Sequence, residues 1–88
     1  MAYLARSDVT LDRNYQARIA QLKRDAGTAP GAPEPESVQR LRTAQRAWLV
    51  YRDTECRNRN RGNEGGLWAP VRARCLAEFS AQRAAELQ

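Results

Sequence analysis

The sequence contains no histidine, two cysteines and a single lysine among its 88 residues. Because histidine is the commonest general base and the commonest zinc ligand, its absence excludes a catalytic Cys–His pair and argues against a structural zinc site. The chain also lacks a nucleophile–base pair and a phosphate-binding loop. The sequence therefore predicts a protein that is not an enzyme, with no catalytic residue, no metal ligand set and no cofactor.

Long apolar runs are missing as well. The opening residues MAYLARSDV are too polar for a secretory signal peptide, and no stretch approaches the roughly 18 consecutive apolar residues of a transmembrane helix. We therefore expect either a cytosolic protein or the mature part of an exported one, without a transmembrane segment.

Basic residues outnumber acidic ones by fifteen to ten, which gives a net charge of +5, and fourteen of the fifteen are arginine. Arginine binds phosphate and carboxylate through its planar guanidinium group, so a nucleic acid or another anionic partner has to be considered. A GC-rich genome produces the same preference for arginine, and no recognised nucleic-acid motif surrounds the basic residues. Nucleic acid is therefore not the expected partner.

Two polar segments divide the chain. The linker at residues 27–36 is rich in glycine and proline, and the loop at residues 58–68 is rich in arginine and glycine. Elsewhere apolar residues recur at spacings of three and four, which predicts helices at about 8–25, 37–58 and 70–87. The whole chain is expected to form one all-α domain (residues 1–88). Its architecture is either a small three-helix bundle or a bent helical hairpin with a third helix packed across it.

The same spacing indicates which side chains should form the core. The expected apolar stripes are Leu11, Tyr15, Ile19 and Leu22 in the first helix, Leu41, Ala44, Trp48 and Tyr51 in the second, and Val71, Cys75 and Phe79 in the third.

Several polar side chains fall on these apolar faces. Gln45, Arg52 and Glu55 lie within the apolar arc of the second helix, and Arg83 projects between apolar residues of the third. Asp8 shares the stripe of the first helix. Because burying an unpaired charge costs roughly several kcal/mol, we expect these groups to pair in an internal network rather than to line a functional pocket.

The two cysteines allow two interpretations. A disulfide between Cys56 and Cys75 would tie the second helix to the third, and by loop-closure entropy it would contribute roughly 3 kcal/mol of stability. Such cross-links belong to oxidising compartments. The alternative is a pair of free thiols in a cytosolic protein, since the spacing is not that of a CxxC redox motif.

Five segments together resemble one known family. LDRNY (11–15), AQRAWLVYRDTEC (44–56), EGG (64–66), Cys75 and FSAQR (79–83) are similar to the LprI-type lysozyme-inhibitor domain, long described as a domain of unknown function. The resemblance covers residues 8–87. It implies a small α-helical domain of the bacterial envelope, stapled by a Cys56–Cys75 disulfide, and an extracytoplasmic location: periplasmic, secreted or lipid-anchored in the full-length precursor.

The polar positions that match the family pattern are expected to form a structural network. They are Asp8, Gln45, Arg52, Asp53 and Arg83.

The function implied by the resemblance is that of a non-enzymatic binding protein. Its expected partner is lysozyme or another secreted wall hydrolase, with a toxin as a close variant. Two alternatives stay open: a small basic nucleic-acid-binding module, and a structural envelope domain with no soluble target.

Candidate contact residues lie in the two connecting segments. Trp68 either packs against the core and holds its loop there, or lies at the surface as a contact for a partner. Because common lysozymes are basic and this chain carries +5, an inhibitor of this composition needs a local acidic patch. The acidic residues available in the two segments are Glu34, Glu36 and Glu64.

Overall fold

Three α-helices make up most of the chain in the computed structural model, which describes residues 2–62 and 65–88 and the side chains from residue 6 onward. They are α1 (Ala2–Asp25), α2 (Glu36–Arg59) and α3 (Ala69–Glu86), and a single 3₁₀ turn (Gly66–Trp68) leads into α3. The described ranges contain no strand. The predicted all-α class with three helices and one disulfide is therefore confirmed.

The ends of α1 follow from local sequence. The helix begins at Ala2, six residues before the expected start, because the residues ahead of Asp8 include good helix formers and no glycine or proline. It ends at Asp25, and Gly27, two residues on, terminates it with a φ of +65°, the left-handed conformation that glycine adopts at low cost. There the N–H of Gly27 donates to the carbonyl of Arg24, and that of Thr28 donates to the carbonyl of Lys23. These are the two hydrogen bonds of a Schellman motif.

The helices run up, down and up. Asp8 of α1 meets Ser80 of α3, and Asn14 further along α1 meets Ala84 further along α3, so these two helices are parallel. The disulfide joins the end of α2 to the beginning of α3, which makes those two antiparallel. The result is an elongated three-helix bundle with principal extents of 50 × 21 × 20 Å.

Small residues allow α3 to approach α1 closely. The buried face of α3 is formed by Ala73, Ala77, Ser80 and Ala84, spaced by three and four residues. Because the distance between two packed helices depends on the side chains at their contact, this face lets α1 and α3 pack at short range. Leu11, Ala84 and Leu87 form a buried cluster against which Tyr15, Leu41 and Trp48 pack.

The core residues predicted from helical spacing are confirmed in part. Leu11 and Ile19 of α1 are buried as expected. Val71 of α3 is 45% exposed and Tyr51 of α2 is 55% exposed, and Ala44 of α2 is exposed as well, so the assignment of these three residues to the core is wrong.

In α3 the face of small residues meets the bundle, because it permits closer packing than the face that carries the larger side chains. In α2 the predicted face is kept by Leu41 and Trp48, and Tyr51 lies at its edge, where its ring contacts that of Phe79 with the ring centres 5.9 Å apart.

None of the described helices combines the length and the apolar character needed to cross a membrane.

Candidate functional site

A layer of polar side chains joins all three helices near the disulfide end of the bundle. Arg52 of α2 donates through Nη1 to the hydroxyl oxygen of Ser80 at 3.0 Å and to Oδ1 of Asp8 at 3.4 Å. The Ser80 hydroxyl in turn donates to Oδ1 of Asp8 at 2.8 Å. Ser80 is fully buried. Every polar group of this triad therefore finds a partner inside the bundle.

The guanidinium group of Arg52 has two further contacts. Its Nε donates to Oδ1 of the neighbouring Asp53 at 3.0 Å, and its Cζ lies 5.4 Å from the centre of the Trp48 ring. Only 13% of the Arg52 side chain is exposed, whereas the two carboxylates are about half exposed. The cation is thus largely withdrawn from water, and its hydrogen bonds and its aromatic neighbour compensate for the lost hydration.

A second polar pair lies two turns from Arg52 toward the N-terminus of α2. Arg83 of α3 donates through Nε to Oε1 of Gln45 at 3.0 Å, and through Nη1 to Glu86 at 3.2 Å. Gln45 is only 9% exposed. The pair links α2 to α3 in the middle of the bundle.

The structure therefore divides the five expected network residues into two groups. Asp8, Arg52 and Asp53 belong to the polar layer, and Gln45 with Arg83 forms the separate pair. Glu55, also expected to face the core, pairs instead with Arg59 of the same helix at 3.4 Å.

Two participants were missed by sequence reasoning. Ser80 joins the three elements of the polar layer, and the Asn14 side chain donates to the Ala84 carbonyl at 2.9 Å. Helical spacing could have indicated that both side chains face the bundle. Ser80 continues the small-residue spacing of α3, and Asn14 follows Leu11 by three positions in α1.

Among the acidic candidates, Glu34 is held by cations. Its two carboxylate oxygens accept three hydrogen bonds from Arg42 of α2, at 2.6 to 3.1 Å, and Nζ of Lys23 lies 3.8 Å from Oε2. The hydrogen bonds from Arg42 hold the pKa of Glu34 below its ordinary value, and raise that of Arg42. Glu34 thus fastens the linker to the ends of α1 and α2.

The remaining candidates do not share one surface with Glu34. Glu36 lies in the first turn of α2, where it pairs with Arg40 in an exposed i,i+4 salt bridge. Trp68, 38% exposed, lies at the other end of the molecule, just before α3. The length of α2, about 36 Å for its 24 residues, separates the two. Glu64 lies outside the described residues.

The disulfide closes the end of the bundle at which Trp68 lies. Cys56 and Cys75 are bonded with their Cα atoms 5.8 Å apart, and Cys56 is buried. Just beyond Cys56, the side chain of Asn60 is also buried and donates to the Cys56 carbonyl at 2.7 Å. The junction between α2 and the following loop is therefore held both covalently and by a buried hydrogen bond.

Across residues 2–62 and 65–88 we find no group of three or more His, Cys, Asp or Glu side chains that could hold a metal ion. The polar layer pairs one arginine with carboxylates and a hydroxyl, which is an arrangement that holds helices together.

The fold and these contacts define a disulfide-stapled helical domain whose polar core groups are paired internally. The family model described as "Lysozyme inhibitor LprI" matches residues 1–87. The chain therefore belongs to the LprI lysozyme-inhibitor family, as its sequence motifs predicted. An uncharacterized protein of Rhizobium meliloti, R02472, is 31% identical over an alignment of 86 residues. The match covers 93% of this chain and 61% of that protein. The chain thus spans less than two thirds of that relative. No solved structure matches.

Proposed function

We propose that this chain is a non-enzymatic binding protein of the bacterial envelope that inhibits lysozyme or another cell-wall hydrolase. The match to the lysozyme-inhibitor family over nearly the whole chain is the observation that carries the proposal. A secreted toxin that attacks the envelope is a target of the same kind, because it would be met in the same compartment.

The disulfide supports an extracytoplasmic location. Cross-links of this kind persist in oxidising compartments and are rare in the cytosol. The Cys56–Cys75 bond is partly buried and closes the segment that connects α2 to α3. We infer a periplasmic, secreted or lipid-anchored protein, in which this bond stabilises a domain with a small core.

Among the acidic candidates, Glu36 is the proposed contact for a basic hydrolase. Its salt bridge with Arg40 leaves 75% of each side chain exposed, and exposed pairs of this kind contribute only about 0.3–0.5 kcal/mol. Glu36 can therefore exchange Arg40 for a cation of the target at little cost. Glu34 would have to give up three hydrogen bonds from Arg42, so its proposed role is to position the linker. Glu64 stays a proposed contact.

The test is an inhibition titration of lysozyme and of a panel of bacterial wall hydrolases on cell-wall suspensions. We expect stoichiometric loss of activity for at least one enzyme. Glu36→Gln should weaken that inhibition, and Glu78→Gln is the matched control, because Glu78 is an exposed glutamate on α3.

The possible results test the proposed function and the proposed contact residue separately. Absence of inhibition across the panel at excess protein would contradict the proposed function. Inhibition that the two glutamine variants reduce equally would leave the function intact and reject Glu36 as its contact.

A further inference from the structure

The segment enclosed by the disulfide concentrates the positive charge of the molecule. We call residues 57–74 the basic tip; it contains five arginines (Arg57, Arg59, Arg61, Arg72 and Arg74) and one acidic residue. It therefore carries four of the five net positive charges of the chain. The other seventy residues hold ten basic and nine acidic side chains, so their charges almost balance.

The bundle places the basic tip at one end of its long axis. The segment joins the C-terminal end of α2 to the N-terminal end of α3, and the Cys56–Cys75 bond brings its two ends together. Arg72 donates to the carbonyl of Gly65 at 3.0 Å, which ties the loop back to α3. Arg59 pairs with Glu55 of α2 at 3.4 Å, so its charge is partly neutralised. The basic side chains are thus gathered on one narrow end of an elongated molecule, 21 × 20 Å in cross-section.

Exposed apolar side chains lie within the same segment. Leu67 is 85% exposed, Val71 is 45% exposed and Trp68 is 38% exposed. Leu67 and Val71 are four positions apart, about one helical turn, across the junction of the 3₁₀ turn with α3. Exposing an aliphatic side chain to this extent is unfavourable in water. In sequence, Arg61 and Arg72 flank this apolar stretch.

We propose that the basic tip docks on an anionic lipid surface. Arginines would pair with lipid phosphates, while Leu67 and Val71 enter the boundary of the acyl chains and Trp68 lies at the headgroup level, where its ring is favoured. The opposite end of the bundle, where Glu36 lies in the first turn of α2, stays clear of the membrane and accessible to a protein partner.

Two features favour lipid over other anionic partners. Binding to single-stranded nucleic acid relies on aromatic rings that stack on bases, whereas two of the three exposed apolar side chains of the tip are aliphatic. A standard protein interface requires about 800 Å² on each partner, which is large for the end of so narrow a molecule. A bilayer requires no such matched area.

The experiment measures partition of the full chain onto vesicles made of equal parts phosphatidylglycerol and phosphatidylcholine, with phosphatidylcholine vesicles as reference. We expect binding to the anionic vesicles alone, weakened by added salt. R61Q/R74Q should lower the partition coefficient about 30-fold, or about five-fold per arginine. R13Q/R18Q removes the same charge from exposed positions of α1 and should change the partition coefficient by less than about three-fold.

The apolar contribution is tested separately. Leu67→Ser should lower partition about ten-fold, whereas Val9→Ser, at a 57% exposed aliphatic position on α1, should leave it unchanged. Tryptophan fluorescence should shift to shorter wavelength on the anionic vesicles, and Trp68→Phe should abolish that shift although Trp48 remains. Circular dichroism verifies that each variant is folded.

Three results would overturn the proposal. One is absence of binding to the anionic vesicles. Another is an equal loss of vesicle binding in R61Q/R74Q and R13Q/R18Q, which would indicate an effect of net charge alone. The last is tighter binding of a single-stranded oligonucleotide than of vesicles, with no effect of Leu67→Ser, which would assign the tip to nucleic acid.

Discussion

The hydroxyl of Ser80 donates a 2.8 Å hydrogen bond to the carboxylate of Asp8, 72 positions earlier in the chain. The same hydroxyl oxygen accepts a hydrogen bond from Arg52. One fully buried side chain of α3 therefore contacts polar groups from both other helices. Because sliding or rotating any one helix would separate these three groups, the contact specifies how the helices are aligned along the bundle.

Removing this hydroxyl should destabilise the fold. Ser80→Ala leaves Asp8 and Arg52 without their buried partner, and we expect a loss of about 1–2 kcal/mol in the free energy of unfolding, measured with urea. Thr54→Ala, which removes a hydroxyl from an exposed position of α2, is the control and should have little effect. Equal losses in the two variants would contradict the role given to Ser80.

The hydrogen bond between Gln45 and Arg83 in the middle of the bundle leads to a second prediction. Arg83→Met keeps most of the side-chain volume but leaves the buried oxygen of Gln45 without its donor, so we expect a loss of about 1–3 kcal/mol. Arg18→Met, at an exposed position of α1, should be nearly neutral. If thermal unfolding shows no difference between the two variants, the Gln45–Arg83 bond does not contribute to stability.

Close packing of α1 against α3 is tested by enlarging a small residue. Ala84 is 3% exposed and belongs to the core cluster, so Ala84→Leu should force the helices apart at a cost of about 1–3 kcal/mol. Ala85→Leu places the same side chain at the next, exposed position and should be tolerated. Equal melting temperatures for the two variants would be inconsistent with this packing.

Reduction of the disulfide should weaken the domain as a whole. The bond closes a loop with a sequence separation of 19 residues, for which loop-closure entropy gives about 3 kcal/mol. We expect the urea midpoint to fall on addition of a phosphine reductant, and the Cys56→Ser/Cys75→Ser variant to show the same lowered midpoint without reductant. A midpoint unaffected by both changes would show that the helices hold together without the cross-link.

The linker contact predicts a pH dependence. Because hydrogen bonds from Arg42 lower the folded-state pKa of Glu34 below its ordinary value of 4.5, this carboxylate stabilises the fold above that value. The contribution is lost as the pH falls through the folded-state pKa. Arg42→Gln should raise the pKa of Glu34, measured by NMR titration of its carboxyl carbon. Lys23→Gln should raise it less, since Lys23 contributes less to the shift. The reverse order would contradict the arrangement of this contact.

Part of the site could be predicted from helical spacing. Asp8 and Arg52 were expected on inward faces because they share apolar stripes with residues such as Leu11 and Trp48, and the structure brings the two side chains together. Ser80 was known only as part of the FSAQR segment and was given no contact, since a serine on a helix face of alanines has no strong preference of its own. Its importance arises from the groups that the other two helices place beside it.

The amino-acid sequence by itself determined the helical class, the breaks between helices and the family. These depend on local preferences and on motifs, which act within a few residues along the chain. Only the tertiary structure decided that Val71 and Tyr51 are exposed, that Glu34 is held by Arg42, and that Trp68 and Glu36 lie at opposite ends. Periodicity shows which residues share a face of a helix. Which face meets a neighbour depends on how closely whole helices can pack, and that is a property of all three together.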